Sequence, residues 1–236
     1  MKAKVGVLAL QGDFAEHVSI LTKCGAEAMQ IRHSWQLECL DGLIIPGGES
    51  TTIDKLTKDN NDPIFEAIRK RASLGMMPVY GTCMGSIFLA REIEGSSQGR
   101  LALMDIKVRR NAFGPQRCSF ETDLEIEALG APAFPAVFIR APMILSCGPS
   151  VEILARFQDG IVMARQNNLL VSAFHPEITD DSRVHAYFLR MVDQAGKKRA
   201  DSLAAPSLAA SASESRLVRL ITSRGLSFGR SLQVCP

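Results

Sequence analysis

Paired cysteines are missing from this 236-residue sequence. Its six cysteines are Cys24, Cys39, Cys83, Cys118, Cys147 and Cys235; they include no C-x-x-C spacing, and the four histidines do not cluster with them. That pattern argues against a disulfide framework and against a zinc site, and it points to a reducing, cytoplasmic compartment. No apolar run reaches the length of a membrane span, and the chain enters a strand-like run at Lys4, so neither a spanning helix nor a cleavable signal is expected. Neither sign of charge dominates: 27 Lys and Arg against 25 Asp and Glu leave a net charge of +2, with both signs mixed along the chain. That balance gives no electrostatic case for nucleic acid or an anionic membrane as partner. The length suffices for one sizeable domain whose core needs no covalent staples.

What is present is an alternation of short apolar runs and helical spacing. Lys4 to Leu10 reads as a buried strand, Gln11-Gly12-Asp13 as its turn, and Phe14 to Cys24 as a helix stopped by Gly25. Ala28 to Arg32 is a weaker strand. Leu43-Ile44-Ile45 leads into Pro46-Gly47-Gly48-Glu49-Ser50, with a helical stretch from Thr51 and another from Pro63 to Leu74. Strands alternating with helices predict an α/β three-layer sandwich around a mostly parallel, flavodoxin-like sheet. The middle of the chain differs. Ser119 to Glu127, Ala136 to Ile139, Val151 to Phe157 and Ile161 to Arg165 read as short strands that extend the sheet in an antiparallel or mixed manner. Arg183 to Val192 is the closing helix. From Gly196 the texture changes, and Ala200 to Ser215 is rich in Ala and Ser with little to bury. The organisation expected is a domain over 1–195 followed by a disordered tail over 196–236.

One cysteine stands apart. Cys83 lies in Pro78-Val79-Tyr80-Gly81-Thr82-Cys83-Met84-Gly85, between an apolar run and the helix-like Ser86-Ile87-Phe88-Leu89-Ala90. Strand, sharp turn and helix place a thiol at the tip of an elbow, beside backbone N–H groups and a helix N-terminus. Far downstream, Phe174-His175-Pro176-Glu177 follows the apolar run Leu169 to Ala173. A Cys, a His able to take its proton and a Glu able to orient that His form a nucleophilic triad.

Six segments together resemble the family of glutaminase subunits of pyridoxal 5'-phosphate synthase, which are class I, triad-type glutamine amidotransferases. They are Gly6-Val7-Leu8-Ala9-Leu10-Gln11-Gly12, Pro46-Gly47-Gly48-Glu49-Ser50-Thr51-Thr52, Gly81-Thr82-Cys83-Met84-Gly85, Arg110-Asn111-Ala112-Phe113-Gly114, Phe138-Ile139-Arg140-Ala141-Pro142 and Phe174-His175-Pro176-Glu177. The likeness runs from about Lys4 to about Ala195. G-x-C-x-G alone marks only the broad amidotransferase class, whereas Gly-Gly-Glu-Ser-Thr-Thr and Phe-Ile-Arg-Ala-Pro narrow it to this subfamily.

The resemblance implies hydrolysis of L-glutamine to L-glutamate and ammonia, with ammonia delivered to a separate β/α-barrel synthase subunit in a hetero-oligomer built on a dodecameric synthase core. It implies no cofactor and no metal. Carried over by motif, Cys83 is the nucleophile, His175 the general base and acid, and Glu177 the orienter. Gly48, Glu49, Ser50, Arg110, Ile139 and Arg140 are the implied glutamine contacts. Backbone N–H groups of Gly48 and Met84 are the implied oxyanion donors. Two positions depart from the family: Met84 stands where Ala is usual, which bears on pocket fit, and Pro115 where Arg is usual, which bears on a local contact or the partner interface.

The remaining reactive side chains take structural readings. Cys24, Cys39, Cys118 and Cys147 are expected in the core or at the surface, and Cys235 as a loose tail thiol. His17, His33 and His185 are expected on helix or loop surfaces. Two other functions stay open on the sequence: a glutaminase serving a different synthase, and a silent assembly module whose pocket Met84 blocks.

Overall fold

The structure, a computed structural model, describes residues 2–49, 62–113 and 119–204. Its centre is a parallel sheet made by β1 (Lys4–Leu8), β2 (Glu27–Ile31), β3 (Gly42–Ile45), β4 (Val79–Thr82) and, from much later in the chain, β12 (Leu169–Ser172). The order is β2-β1-β3-β4-β12, the flavodoxin-like pattern. Beyond β12 the sheet turns antiparallel through β11 (Gly160–Gln166) and β9 (Met143–Cys147), then reaches β6 (Met104–Arg109) and β5 (Ala90–Ile93); β10 (Glu152–Phe157) pairs with β11 from the side.

Period-two alternation along the central strands separates two cores. Leu43 and Ile45 join one buried apolar cluster, and Ile44 between them joins the other. Val79 and Tyr80 divide in the same way, as do Leu169 and Leu170. The first cluster is covered by α2 (Ile64–Ser73), through Ile64, Phe65, Ile68 and Ala72, and by α3 (Met84–Leu89). The second is covered by α1 (Phe14–Lys23), through Leu21, and by α4 (Arg183–Ala204), through Val184, Phe188, Met191 and Val192. Helices on both faces make the expected three layers.

Three local expectations are corrected. β7 (Phe120–Leu124) and β8 (Phe134–Phe138) do not extend the main sheet; they form a separate two-stranded antiparallel ribbon. Aromatic packing attaches this ribbon to the body: Phe120 and Phe138 stack at 4.8 Å, both meet Phe157 of β10, and Phe138 meets Phe174 edge-on at 5.8 Å. The extension itself is built partly from strands with no counterpart among the expected ones, β5, β6 and β9. Of these, Met104-Asp105-Ile106-Lys107-Val108 does carry a clean alternation, with Met104, Ile106 and Val108 buried. Finally, the closing helix does not end at Val192 or give way at Gly196, but continues to Ala204. Ala, Lys and Arg over 195–200 are strong helix formers, and their summed propensity outweighs the roughly 1 kcal/mol that Gly196 costs. The compact unit runs from Met1 to Lys198, and a second unit begins at Arg199. The helical stretch read from Thr51 lies outside the described residues, as do Ser50, Pro115, Cys118 and Cys235.

Candidate active site

Four chain segments leave the parallel sheet at the carboxyl ends of β1, β3, β4 and β12, where open α/β sheets form their binding crevice. Cys83 is the elbow between β4 and α3. Its backbone has φ 45° and ψ −105°, a left-handed conformation that a residue with a Cβ rarely adopts. The strain is held by packing from both sides. A Cβ at Gly81 would lie 2.5 Å from the backbone of Gly85, so strand and helix cross at a separation only glycine permits. The Cys83 N–H donates to the Ser172 carbonyl of β12 at 2.8 Å, and Ser86 closes the first turn of α3 by donating its hydroxyl to the Cys83 carbonyl at 2.6 Å.

His175 follows β12 and is anchored by its N–H to the Val137 carbonyl at 2.8 Å. Its Nδ1 lies 2.7 Å from Glu177 Oε1, and both side chains are buried. The Pro46–Glu49 loop passes over the pair formed by His175 and Cys83. A Cβ at Gly47 would stand 2.5 Å from His175 Cε1 and 3.4 Å from Cys83 Cβ, so the loop lies against both residues and brings them to one place. Burial opposes charge on His175, but hydrogen bonds to Cys83 and Glu177 and the charges of both outweigh it, and its pKa is pushed up to about 11. Burial pushes Glu177 up, while His175 pulls it back.

The structure thus gathers Cys83, His175 and Glu177. Around them it places most of the residues implied as glutamine contacts. The Ile139 carbonyl, just past β8, accepts from the Cys83 thiol at 3.8 Å. Arg140, with φ 50°, donates from Nη2 to Glu49 Oε2 at 3.1 Å. Gly48 has φ 136° and abuts Gln11, whose Oε1 accepts the Glu49 N–H at 2.8 Å. Among the described residues Arg110 is not tied to this group directly: its Nη1 donates to Gln98 at 3.1 Å, and its loop reaches the Arg140 loop through the Ala112 N–H to the Ala141 carbonyl at 3.0 Å.

Met84 answers the question of pocket fit. It is the first residue of α3, only 2% exposed, and belongs to the larger apolar core. The side chain fills the interior, while the N–H at this helix position has no intrahelical acceptor.

Four polar residues behind or beside the triad were not singled out from the sequence for this site. His17 and His185 were expected at the surface; both are fully buried. His17 sits on the stripe Phe14, Val18, Leu21 of α1, and His185 beside Val184 and Phe188 of α4, so the helical period itself carried the signal. Thr82, within the nucleophile motif, accepts the Gly47 N–H at 3.0 Å. Asp13 Oδ2 lies 3.6 Å from His175 Nδ1. Asp13, His175 and Glu177 bring their donor atoms within 4.8 Å of one another, a spacing that suits a cation, but the His175 and Glu177 donors are already committed to each other. His33 is exposed, as expected.

Comparisons with known proteins bear on the family and the fold. The family model described as the SNO glutamine amidotransferase family matches residues 7–194. The chain is 58% identical over 194 residues to the pyridoxal 5'-phosphate synthase subunit PdxT of Pelotomaculum thermopropionicum, covering 82% of this chain and 97% of that one. It is 57% identical over 189 residues to the PdxT subunit of Carboxydothermus hydrogenoformans, covering 80% and 97%. A solved structure described as a glutamine amidotransferase superposes with a TM-score of 0.75 at 50% identity, covering 80% of this chain and 98% of that one. A putative GMP synthase subunit from Thermoplasma acidophilum shares the fold, with a TM-score of 0.64 at 18% identity over 84% of this chain and 98% of its own.

Proposed function

The chain belongs to the SNO glutamine amidotransferase family, and from that premise we propose that Cys83, His175 and Glu177 are the catalytic triad through which it hydrolyses L-glutamine. It is the glutaminase subunit of a pyridoxal 5'-phosphate synthase, working with a synthase subunit that consumes the ammonia. The observation that carries the triad is the strained elbow at Cys83 facing the buried His175–Glu177 pair across Gly47.

Cys83 attacks the side-chain amide carbon of glutamine as its proton passes to His175. The raised pKa of His175 favours the imidazolium, which puts a positive charge beside the attacking sulfur. His175 then protonates the departing nitrogen, ammonia leaves, and a water activated by the same imidazole cleaves the thioester to glutamate. Glu177 holds Nδ1 and stabilises the imidazolium. Gly48 and Met84 N–H groups are assigned to the oxyanion, where one lost donor typically costs about 3 kcal/mol of barrier. Glu49 is assigned to the glutamine amino group and Arg140 and Arg110 to its carboxylate, with Ser50 and the Ile139 backbone beside them.

The activity is assigned to about the first 195 residues, in line with the match over 7–194. The partner is taken to be a β/α barrel in a dodecameric core. Among the described residues no helix is long and apolar enough to cross a membrane, and the described cysteines are free thiols, which suits a cytoplasmic setting. The alternative of a silent module loses its premise, because Met84 lies in the core.

The test is glutamine hydrolysis by the full chain with and without the synthase subunit, in wild type and in Cys83→Ala and Cys83→Ser. Both variants should be inactive yet bind the partner, and a glutamine-analogue electrophile should label Cys83. A label on another cysteine, or turnover by Cys83→Ala, overturns the assignment.

A further inference from the structure

The triad does not end at Glu177. Its second carboxylate oxygen, Oε2, is buried and accepts no hydrogen bond among the described residues. The group facing it is His17 Nε2 from α1, at 3.4 Å, with both side chains fully buried. His17 Nε2 also lies 3.3 Å from the Thr82 hydroxyl, and His17 Nδ1 lies 2.9 Å from His185 Nε2 of α4. His185 Nδ1 has no partner. A chain therefore runs from α4 through α1 to the orienting carboxylate.

The charge of that carboxylate selects one arrangement of protons. Burial holds His17 well below its ordinary pKa, helped by the charges of His185 and His175, and burial holds His185 at about 4, so both rings are neutral near pH 7. Each neutral ring then has one N–H and one bare nitrogen. If His17 donated through Nδ1 to His185, its bare Nε2 would point a lone pair at Glu177. If His185 donates through Nε2 to His17 Nδ1, the His17 proton sits on Nε2, within hydrogen-bond reach of the Thr82 oxygen and beside Glu177 Oε2 at 3.4 Å. Only the second arrangement offers a donor to an otherwise orphaned buried carboxylate oxygen. Its cost is a bare, unpartnered Nδ1 on His185, a neutral lone pair, which is the cheaper atom to leave unpaired.

Thr82 extends the reach of this imidazole. Its hydroxyl oxygen accepts from the Gly47 N–H, and Gly47 precedes the Gly48 assigned to the oxyanion. One side chain thus braces both the orienting carboxylate and the loop over the nucleophile.

Resting on the triad reading above, we propose that His17 is a positioning residue: its Nε2–H fixes the Glu177 carboxylate and, through Thr82, the Gly47 loop, while His185 sets its tautomer. The titratable groups facing it are His185 from α4, Glu177 and His175 from the segment after β12, and Tyr80 of β4, which meets His185 edge-on at 6.5 Å.

Two amide variants separate this role from packing. In His17→Gln the amide N–H reaches the place of Nε2; in His17→Asn it reaches only that of Nδ1, keeping the His185 contact and losing Glu177. Assayed with the synthase subunit, His17→Asn should lower kcat about 10- to 100-fold, the usual loss when a hydrogen bond that orients a functional side chain from behind is removed. Its glutamine KM should stay within about threefold, and the acid limb of kcat/KM should move to higher pH, because an unsupported Glu177 takes up a proton more readily. His17→Gln should restore kcat to within about threefold of wild type and return the acid limb. Equal activities and acid limbs in the two folded variants would overturn the proposal. In the wild-type chain, imidazole ¹⁵N spectra near pH 7 should show His17 as the neutral Nε2–H tautomer. An Nδ1–H tautomer or an imidazolium there would overturn it even if a variant failed to fold. The triad reading fails separately, through turnover by Cys83→Ala. With that variant dead, these outcomes bear on His17 alone.

Discussion

Arg140 Nη2 and Glu49 Oε2 are 3.1 Å apart, so the two side chains assigned to opposite ends of glutamine hold each other in the free enzyme. Both are nearly half exposed, 45% and 41% for their side chains, and an ion pair in that setting contributes at most about 1 kcal/mol. On the proposed assignment, substrate would displace it readily, its ammonium taking Glu49 and its carboxylate Arg140.

Glu49→Gln and Arg140→Gln should accordingly raise glutamine KM by about 10- to 100-fold, the 1.5–3 kcal/mol typical of a hydrogen bond to a charged group, and leave kcat within a few fold. Steady-state kinetics with the synthase subunit checks this. A fall in kcat at constant KM would place these residues in the chemistry instead.

Glu177→Gln should do the opposite. It removes the charge that stabilises the His175 imidazolium and the acceptor that fixes the ring, and it touches no substrate group. We expect kcat to fall by about 10²- to 10⁴-fold with glutamine KM within threefold. Weakened binding at unchanged turnover would make Glu177 a binding residue.

The buried histidines predict how stability depends on pH. His17 and His185 are both lowered from 6.5 on folding, His185 to about 4. Below pH 6.5 the unfolded chain binds more protons at these sites than the native one, so stability is fully present above 6.5 and is lost as pH falls toward 4. For His185 alone the loss reaches about 2 kcal/mol at pH 5, roughly 4–8 °C in Tm for a chain of this size. The carboxylates lowered on folding, Asp62, Asp181 and Glu94, lose their contribution only below their ordinary 3.8 and 4.5, while Glu177, raised by burial, opposes the histidines as pH falls. His175, raised to about 11, acts on the alkaline side: its contribution is present below 6.5 and lost as pH rises through 11. Melting curves at pH 7 and pH 5 should differ less in His185→Gln than in wild type; identical differences would show that His185 is not held neutral.

Met84→Ala should cost stability without touching catalysis. Removing a buried Met typically costs 2–5 kcal/mol, and the backbone N–H is retained. Tm should fall by at least about 4 °C, with kcat/KM per folded molecule unchanged. An unchanged Tm with altered KM would place the side chain in the pocket.

Residues 205–236 are dispensable for activity on this reading, since the triad and every assigned ligand lie upstream of them. Their first stretch is rich in Ala and Ser and holds little apolar area to offset an ordering entropy of roughly 1–2 kcal/mol per residue. Truncation after Ala204 should leave hydrolysis unchanged and shift Tm by less than about 5 °C. A larger drop would show that the segment docks on the domain.

Sequence by itself determined the parallel half of the fold and pointed to Cys83, His175 and Glu177 as the proposed triad. Continuous apolar runs ending in glycine turns are local signals, and the Gly81-Thr82-Cys83-Met84-Gly85 and Phe174-His175-Pro176-Glu177 motifs each mark a strand end. What only the tertiary structure decided depends on non-local packing. The β7–β8 ribbon left the main sheet because Phe120, Phe138, Phe157 and Phe174, far apart in sequence, pack together. Helix α4 ran on because propensity in its last turns carried what apolar burial had begun. His17 and His185 each lie on the apolar face of their own helix; they become a buried pair only where α1 and α4 cover the same face beside Glu177, 168 residues apart in the chain. A helical period shows which way a side chain points along its own element, but the partner waiting there is chosen by the way the sheet brings the elements together.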